Sequence, residues 1–322
     1  MPELTYAQAI NEGIREEMRR DPNIVILGED VGKYGGVFGV TRGLYDEFGG
    51  ARVRDCPLNE AAIVGFGVGL AIAGKPAIAE LEFMDFATFA MDPIVNQAAK
   101  IRYYWGGQVK VPLVVRMPVA SQLGFGTQHS QSLEAWFMHV PGLKIAMPSN
   151  GYDAKGLIKT AIREPNPVVF VENISLYATK SEIPDEEYLI PFGQAEIKRE
   201  GNDVTVVALA AMVPRALQAA EILAEQGVSV EVIDPRTLAP LDIETIVASV
   251  EKTGRLVVAH MAHKTGGVGA EIAQQVTERA FDYLDGPVVR IAAADVPIAA
   301  SQVLEAAAFP DSHAIVEACL SK

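Results

Sequence analysis

Short apolar runs of strand length recur along this chain, and they leave few folds open to it. Asn23-Ile24-Val25-Ile26-Leu27-Gly28 is the first, and similar runs follow at 77–83, 111–117, 143–148 and 167–172. Such runs are typical of strands buried on both faces of a parallel sheet. Between them lie stretches with helical spacing, such as 91–104 and 152–163. Parallel neighbours must be joined by crossovers, so the alternation predicts an α/β fold. The first helix is announced by Thr5-Tyr6-Ala7-Gln8, a capping-box spacing, and it stops at Asp21-Pro22.

A polar, turn-rich interval then interrupts the pattern, with Ile183-Pro184-Asp185-Glu186-Glu187-Tyr188 and Lys198-Arg199-Glu200-Gly201-Asn202-Asp203. We place a linker at 186–203, between a first domain at 1–185 and a smaller second domain at 204–322. The second domain repeats the alternation, with strands at 204–209, 228–233, 255–259 and 288–292 and helices at 214–226, 243–252 and 269–281. A chain of 322 residues with 49% hydrophobic content is long enough for two cores.

Composition excludes several classes of function. The longest apolar run, 61–74, is cut by four glycines and falls short of the ~20 residues that cross a bilayer, so no membrane partner is expected. Met1-Pro2-Glu3-Leu4 lacks a basic and apolar leader pattern, and the expected location is the cytoplasm. Two distant cysteines, Cys56 and Cys319, argue against a disulfide framework or a zinc site. A formal net charge of -14 disfavours nucleic acid and suits a basic protein partner.

The most pointed chemical signal is Asp55-Cys56-Pro57-Leu58-Asn59-Glu60, running into the glycine-studded segment 61–74. Glu60 stands at the mouth of a buried helix that offers no cation, so it either caps the helix or meets a donor on a ligand. Histidine is scarce. Thr127-Gln128-His129-Ser130-Gln131-Ser132 follows the glycine loop Leu123-Gly124-Phe125-Gly126 and reads either as a site lining or as a helix start capped by Ser130 or Ser132. His139 sits among apolar neighbours and reads as packed, whereas His260 and His263 lie just after a strand and suit an interface. Gly65-Phe66-Gly67-Val68-Gly69 lacks the turn of a dinucleotide fingerprint, so close helix packing is the preferred reading, and the distance to Asp85 carries little weight. Thr265-Gly266-Gly267-Val268-Gly269-Ala270 lacks the lysine of a phosphate loop and reads as a turn entering a helix. No GxSxG, HExxH or SxxK motif is present.

Several long ordered stretches resemble one family: 27–32, Pro57 to Glu60 with the helix after it, 91–100, 128–136, 141–144, 152–157 and 266–272. Together they are similar to the β subunit of the thiamine-diphosphate-dependent E1 component of 2-oxoacid dehydrogenase complexes, over nearly the whole chain. The resemblance implies a pyrimidine-type parallel-sheet domain followed by a transketolase C-terminal-like domain. It implies that Glu60 hydrogen-bonds N1′ of the cofactor's aminopyrimidine, promoting the imino form that takes the thiazolium C2 proton, that Phe86 stacks on that ring and that Leu58 lies beside it. It further implies that His129 stands at the active-site entrance, orienting substrate or assisting transfer to a lipoyl group. A structural K⁺ would map onto Leu113, Ala161, Ile162, Glu164 and Asn166. Here Glu164-Pro165 replaces the aspartate and non-proline residue frequent in relatives, Ile298-Ala299-Ala300-Ser301 replaces their proline and aromatic, and 119–122 replaces their paired glycines.

The GDG stretch and asparagine motif with which thiamine enzymes hold Mg²⁺ and the diphosphate are missing. The resemblance therefore implies an α subunit that holds both, in an α2β2 heterotetramer, and an E2 acyltransferase as a further partner. The implied reaction is decarboxylation of a small 2-oxoacid or cleavage of acetoin with acyl transfer to lipoamide; the 128–136 stretch leans toward the pyruvate or acetoin type. A branched-chain E1 β, a non-catalytic assembly subunit of the same fold, and an NAD-binding dehydrogenase are the alternatives.

Overall fold

The structure, a computed structural model, describes residues 2–321. The chain starts with a short strand β1 (Glu3–Thr5) and the helix Tyr6–Arg20, whose capping box is complete: Thr5 accepts from Gln8 N–H, and the Gln8 side chain accepts from Thr5 N–H at 2.9 Å. The first sheet then assembles from β2 (Val25–Gly28), β3 (Val53–Asp55), β4 (Ala77–Glu80), β5 (Leu113–Val119), β6 (Lys144–Ala146) and β7 (Val168–Asn173), all parallel, with the apolar runs of β2, β4, β5 and β7 at its centre. Every residue of β2, β4, β5 and β7 is buried. Strand β8 (Lys180–Glu182) returns to pair antiparallel with β1.

The second sheet contains β9 (Glu196–Arg199), β10 (Val204–Ala208), β11 (Val230–Asp234), β13 (Leu256–His263) and β14 (Val289–Ala293), in the order β14-β13-β10-β11-β9 with β9 alone antiparallel. Strand β9 therefore arises inside the stretch read as a linker. One more strand, β12 (Thr237–Ala239), leaves the second sheet to pair antiparallel with β6 at the edge of the first, giving the order β12-β6-β7-β5-β4-β2-β3. The segment between β9 and β13 thus belongs to both sheets, and each of the two apolar cores contains residues from both halves of the chain.

Polar contacts reinforce the junction. The buried Asp153 carboxylate meets Lys198 at 2.8 Å and Arg236 at 2.9 Å, while Ser149 donates to buried Asp234. On the first domain, the helix Gly151–Arg163 packs against Tyr6–Arg20. Gly13 makes the approach possible, because a Cβ there would stand 2.7 Å from Ile158 Cγ2. Glu16 answers Lys155 and Lys159 across that contact at 2.8 and 2.6 Å. No helix among the described residues is long and apolar enough to cross a membrane.

Candidate active site

Glu60 is the first residue of the helix Glu60–Ile72, and the cap is its neighbour: the Asn59 side chain accepts the N–H of Ala62 at 2.9 Å. The capping role considered for Glu60 is thereby taken by Asn59, whose shorter amide folds back over the first turn. The carboxylate of Glu60, on a residue 8% exposed, makes no hydrogen bond or ion pair among the described residues. The helix is held close to the sheet by Gly67, where a Cβ would stand 2.8 Å from Leu113 Cδ1. The chain reaches it from β3 through Cys56, whose N–H donates to Gly28 at the end of β2, and Asp55, which accepts from Gly32 N–H at 2.6 Å. These bonds put Glu60 at the carboxyl end of the parallel strands, the edge at which α/β sheets receive ligands.

Two further carboxylates share this end, and neither was picked out from sequence. Glu29 follows β2 and Glu82 follows β4. Burial and then the negative charges of Glu82, Glu60 and Asp30 push Glu29 up to about 7. Glu82 is raised by burial, Asp30 and Glu60, while His129 acts in the opposite direction. Their position directly after strands of a parallel sheet was the signal that could have found them.

Facing the acids is an aromatic cluster on the 3₁₀ turn Met84–Thr88 and its approach. His129 stands edge-on to Phe83 and Phe86, with centroids 4.8 and 5.1 Å away, and Phe125 packs on Phe83 at 5.5 Å. Asp85, buried, accepts from the Gln131 side chain at 2.7 Å and so ties this turn to the loop that carries His129. That bond occupies the carboxylate considered at ribose distance. The structure therefore brings Phe86 and His129 together, while Glu60 and His129 act on Glu82 with opposite sign. Leu58 is 79% exposed in this chain. No serine caps the helix Glu134–Met138, which begins after Leu133 without a side-chain cap.

Other expectations are corrected. His139 is exposed and lines an interdomain cleft, because it falls at the end of that short helix rather than on its buried face. His260 and His263 lie within β13, which runs past the predicted end. His260 is fully buried, where burial pushes it down to about 4, and its ring fills the space a Cβ would need at Gly267 and Gly269. Gly267 does open a helix, Val268–Ala280, as the turn reading required.

The five residues mapped to a K⁺ lie around the C-terminus of the helix Gly151–Arg163 and the start of β5, joined by the bond from Val111 N–H to Pro165 C=O. The Ala161 carbonyl accepts the N–H of Glu164 at 3.3 Å, Pro165 has no N–H to add to it, and the N–H of Asn166 turns to the Glu164 side chain. The side chains are otherwise engaged, Glu164 with Lys144 at 2.6 Å and Asn166 with Arg102 at 2.6 Å.

The outer face of Glu60–Ile72 is apolar and uncovered: Phe66 is 68% exposed, and at Gly65 and Gly69 a Cβ would meet nothing within 4 Å. The face that this helix turns away from the sheet is therefore apolar and open.

The fold defines a protein of the transketolase type, in which a parallel-sheet domain precedes a second α/β domain. Residues 2–180 match the family described as transketolase, pyrimidine binding domain, and residues 193–315 match transketolase, C-terminal domain. A solved split-gene transketolase, described as an inactive β4 tetramer, superposes with a TM-score of 0.82 at 24% identity, covering 98% of this chain and 97% of its own. The chain belongs to the family of E1 β subunits of pyruvate and acetoin dehydrogenases. It is 47% identical to the mitochondrial pyruvate dehydrogenase E1 subunit beta-1 of Oryza sativa subsp. japonica, over 98% of this chain and 86% of that protein. It is 43% identical to the beta subunit of acetoin:2,6-dichlorophenolindophenol oxidoreductase from Bacillus subtilis, over 98% and 96%.

Proposed function

We propose that the chain is the β subunit of a thiamine-diphosphate-dependent 2-oxoacid or acetoin dehydrogenase E1, active only with an α subunit. It would decarboxylate a pyruvate-like acid, or cleave acetoin, and pass the acyl unit to the lipoyl group of an E2 acyltransferase. The observation that carries this reading is Glu60, a buried carboxylate with no partner among the described residues, at the ligand end of the sheet that also carries Phe86 beside His129. Such a group fits the pyrimidine half of thiamine diphosphate, whose ring nitrogen would complete its hydrogen bonding.

When bound, the cofactor supplies an electron sink at thiazolium C2. Glu60 would donate to and recover a proton from the N1′ position, in a pocket where water does not compete. Phe86 would stack on the pyrimidine, and Leu58, exposed in this chain, would complete the wall once a partner covers it. His129, at the pocket entrance beside both phenylalanines, would orient the substrate or move a proton at the lipoyl sulfur.

Mg²⁺ and the diphosphate would be held by the α subunit. The open face of Glu60–Ile72 supports that interface. The net charge of -14 suits a basic docking segment on E2. A K⁺ at Leu113, Ala161, Ile162, Glu164 and Asn166, and a cytoplasmic location, complete the reading. The test is co-assembly with the α subunit and assay with pyruvate, acetoin and 2-oxoisovalerate. Turnover of pyruvate or acetoin that is lost in Glu60→Gln is expected; undiminished turnover in that variant overturns the assignment.

A further inference from the structure

We propose that Glu305 and Arg215, both from the second domain, are positioning residues that set the loop carrying His129; this deepens the reading of His129 given above and rests on it. The helix Gln302–Ala308 brings Glu305 to the loop with the residue 1% exposed. One carboxylate oxygen accepts the N–H of Gly124 at 2.7 Å, and the other is buried with no partner among the described residues. A carboxylate kept from water with so little compensation is costly, and the one bond it makes is to this loop.

Two residues earlier, Gln122 takes φ +65°, a left-handed conformation rare for a residue with a Cβ. The Arg215 guanidinium donates to its side-chain carbonyl and also to the Pro310 carbonyl, the latter at 2.6 Å. Gly124 and Gly126 continue the left-handed path, at φ +76° and +80°, and lay the backbone against Ala300; a Cβ at Gly126 would stand 3.4 Å from that of Ala300. Phe125 then reaches Phe83, and His129 follows.

The other end of the loop is fixed inside the first domain by the bond between Asp85 and Gln131. His129 is thus suspended between two anchors that belong to different domains. Past Gly126 the two domains separate, leaving a cleft of about 490 Å³ between Thr127 and Gln131 on one side and His263, Asp295 and Ile298 on the other. The grip is concentrated at Gln122 and Gly124, so the seating of the second domain sets where the imidazole stands.

The test uses the full complex with its α subunit, read by hydrogen exchange of 120–131 and by steady-state kinetics. Glu305→Ala should speed exchange in that segment and lower kcat by about 10-fold through misplacement of the imidazole. Glu305→Gln, which keeps a carbonyl acceptor, should stay within about threefold of the parent. Arg215→Met should act in the same direction as Glu305→Ala, and it carries the test if Glu305→Ala does not assemble. On a His129→Ala background, Glu305→Ala should cost nothing more, because the two act as a unit. Equal losses on both backgrounds, or unchanged exchange in Glu305→Ala and Arg215→Met, overturn the proposal. A parent complex inactive on all three substrates would overturn the proposed function instead, and the exchange measurement would still judge the loop.

Discussion

Two groups of acids lie at the first sheet, and they are treated in opposite ways. Glu80 on β4 and Glu172 on β7 flank Arg116 of β5, and all three are buried. Arg116 reaches Glu172 with two bonds at 2.6 and 2.8 Å and also meets Glu80, while Tyr177 donates to Glu172 at 2.6 Å. Two residues beyond Glu80 stands Glu82, in company with Glu60 and Glu29, and none of them forms an ion pair among the described residues. A carboxylate that serves the fold is given its guanidinium inside the chain. One left without a partner in the same sheet stays open to a ligand from outside it, as proposed for Glu60.

The widest break with this contrast would come from Arg116→Met. It leaves two carboxylates buried without a cation and should cost about 3–5 kcal/mol, seen as a lowered urea midpoint or loss of folded protein. An unchanged midpoint would remove the structural half of the comparison. Glu60→Gln should do the reverse: turnover of the assembled enzyme falls by at least about 10²-fold, while stability stays within about 0.5 kcal/mol.

A smaller effect sharpens the contrast by pH. Glu29 is pushed from 4.5 up to about 7, so between those values the native state keeps a proton that the unfolded chain has released. Stability from this group therefore falls as pH rises through that window. Glu29→Gln, which has no proton to lose, should gain in Tm relative to the parent between pH 5 and pH 8. A difference that does not change with pH would show that Glu29 is not held among like charges. Smallest of all, Gly69→Ala on the open helix face should be neutral or stabilise the chain by up to about 1 kcal/mol, yet weaken assembly with the α subunit, as titration would report. Tighter assembly would show that this face is not the one covered.

Much of the frame was legible in the sequence. The apolar runs at 23–28 and 167–172 became β2 and β7, and the Thr5–Gln8 spacing became a complete cap. The short edge strands β3, β9 and β12 were not legible, since three or four residues held by pairing partners carry no period of their own. Of the candidate site, Glu60 and His129 stood out through their motifs, and Phe86 through the family resemblance alone. Glu29 and Glu82 did not, because their meaning lies in which other carboxylates the crossovers bring beside them.

Local pattern decides which segments are buried strands and which are helices, because period and capping act within a few residues along the chain. On its own, then, this sequence determined an α/β chain with two sheets and an acid at the head of a glycine-rich helix. Contacts between segments decided the rest: that Asn59 rather than Glu60 closes the helix, that Arg116 neutralises one pair of acids and leaves another bare, and that Glu305 of the second domain reaches Gly124. Whether a buried charge is satisfied depends on what the fold places next to it from distant parts of the chain, and no short stretch of residues carries that information.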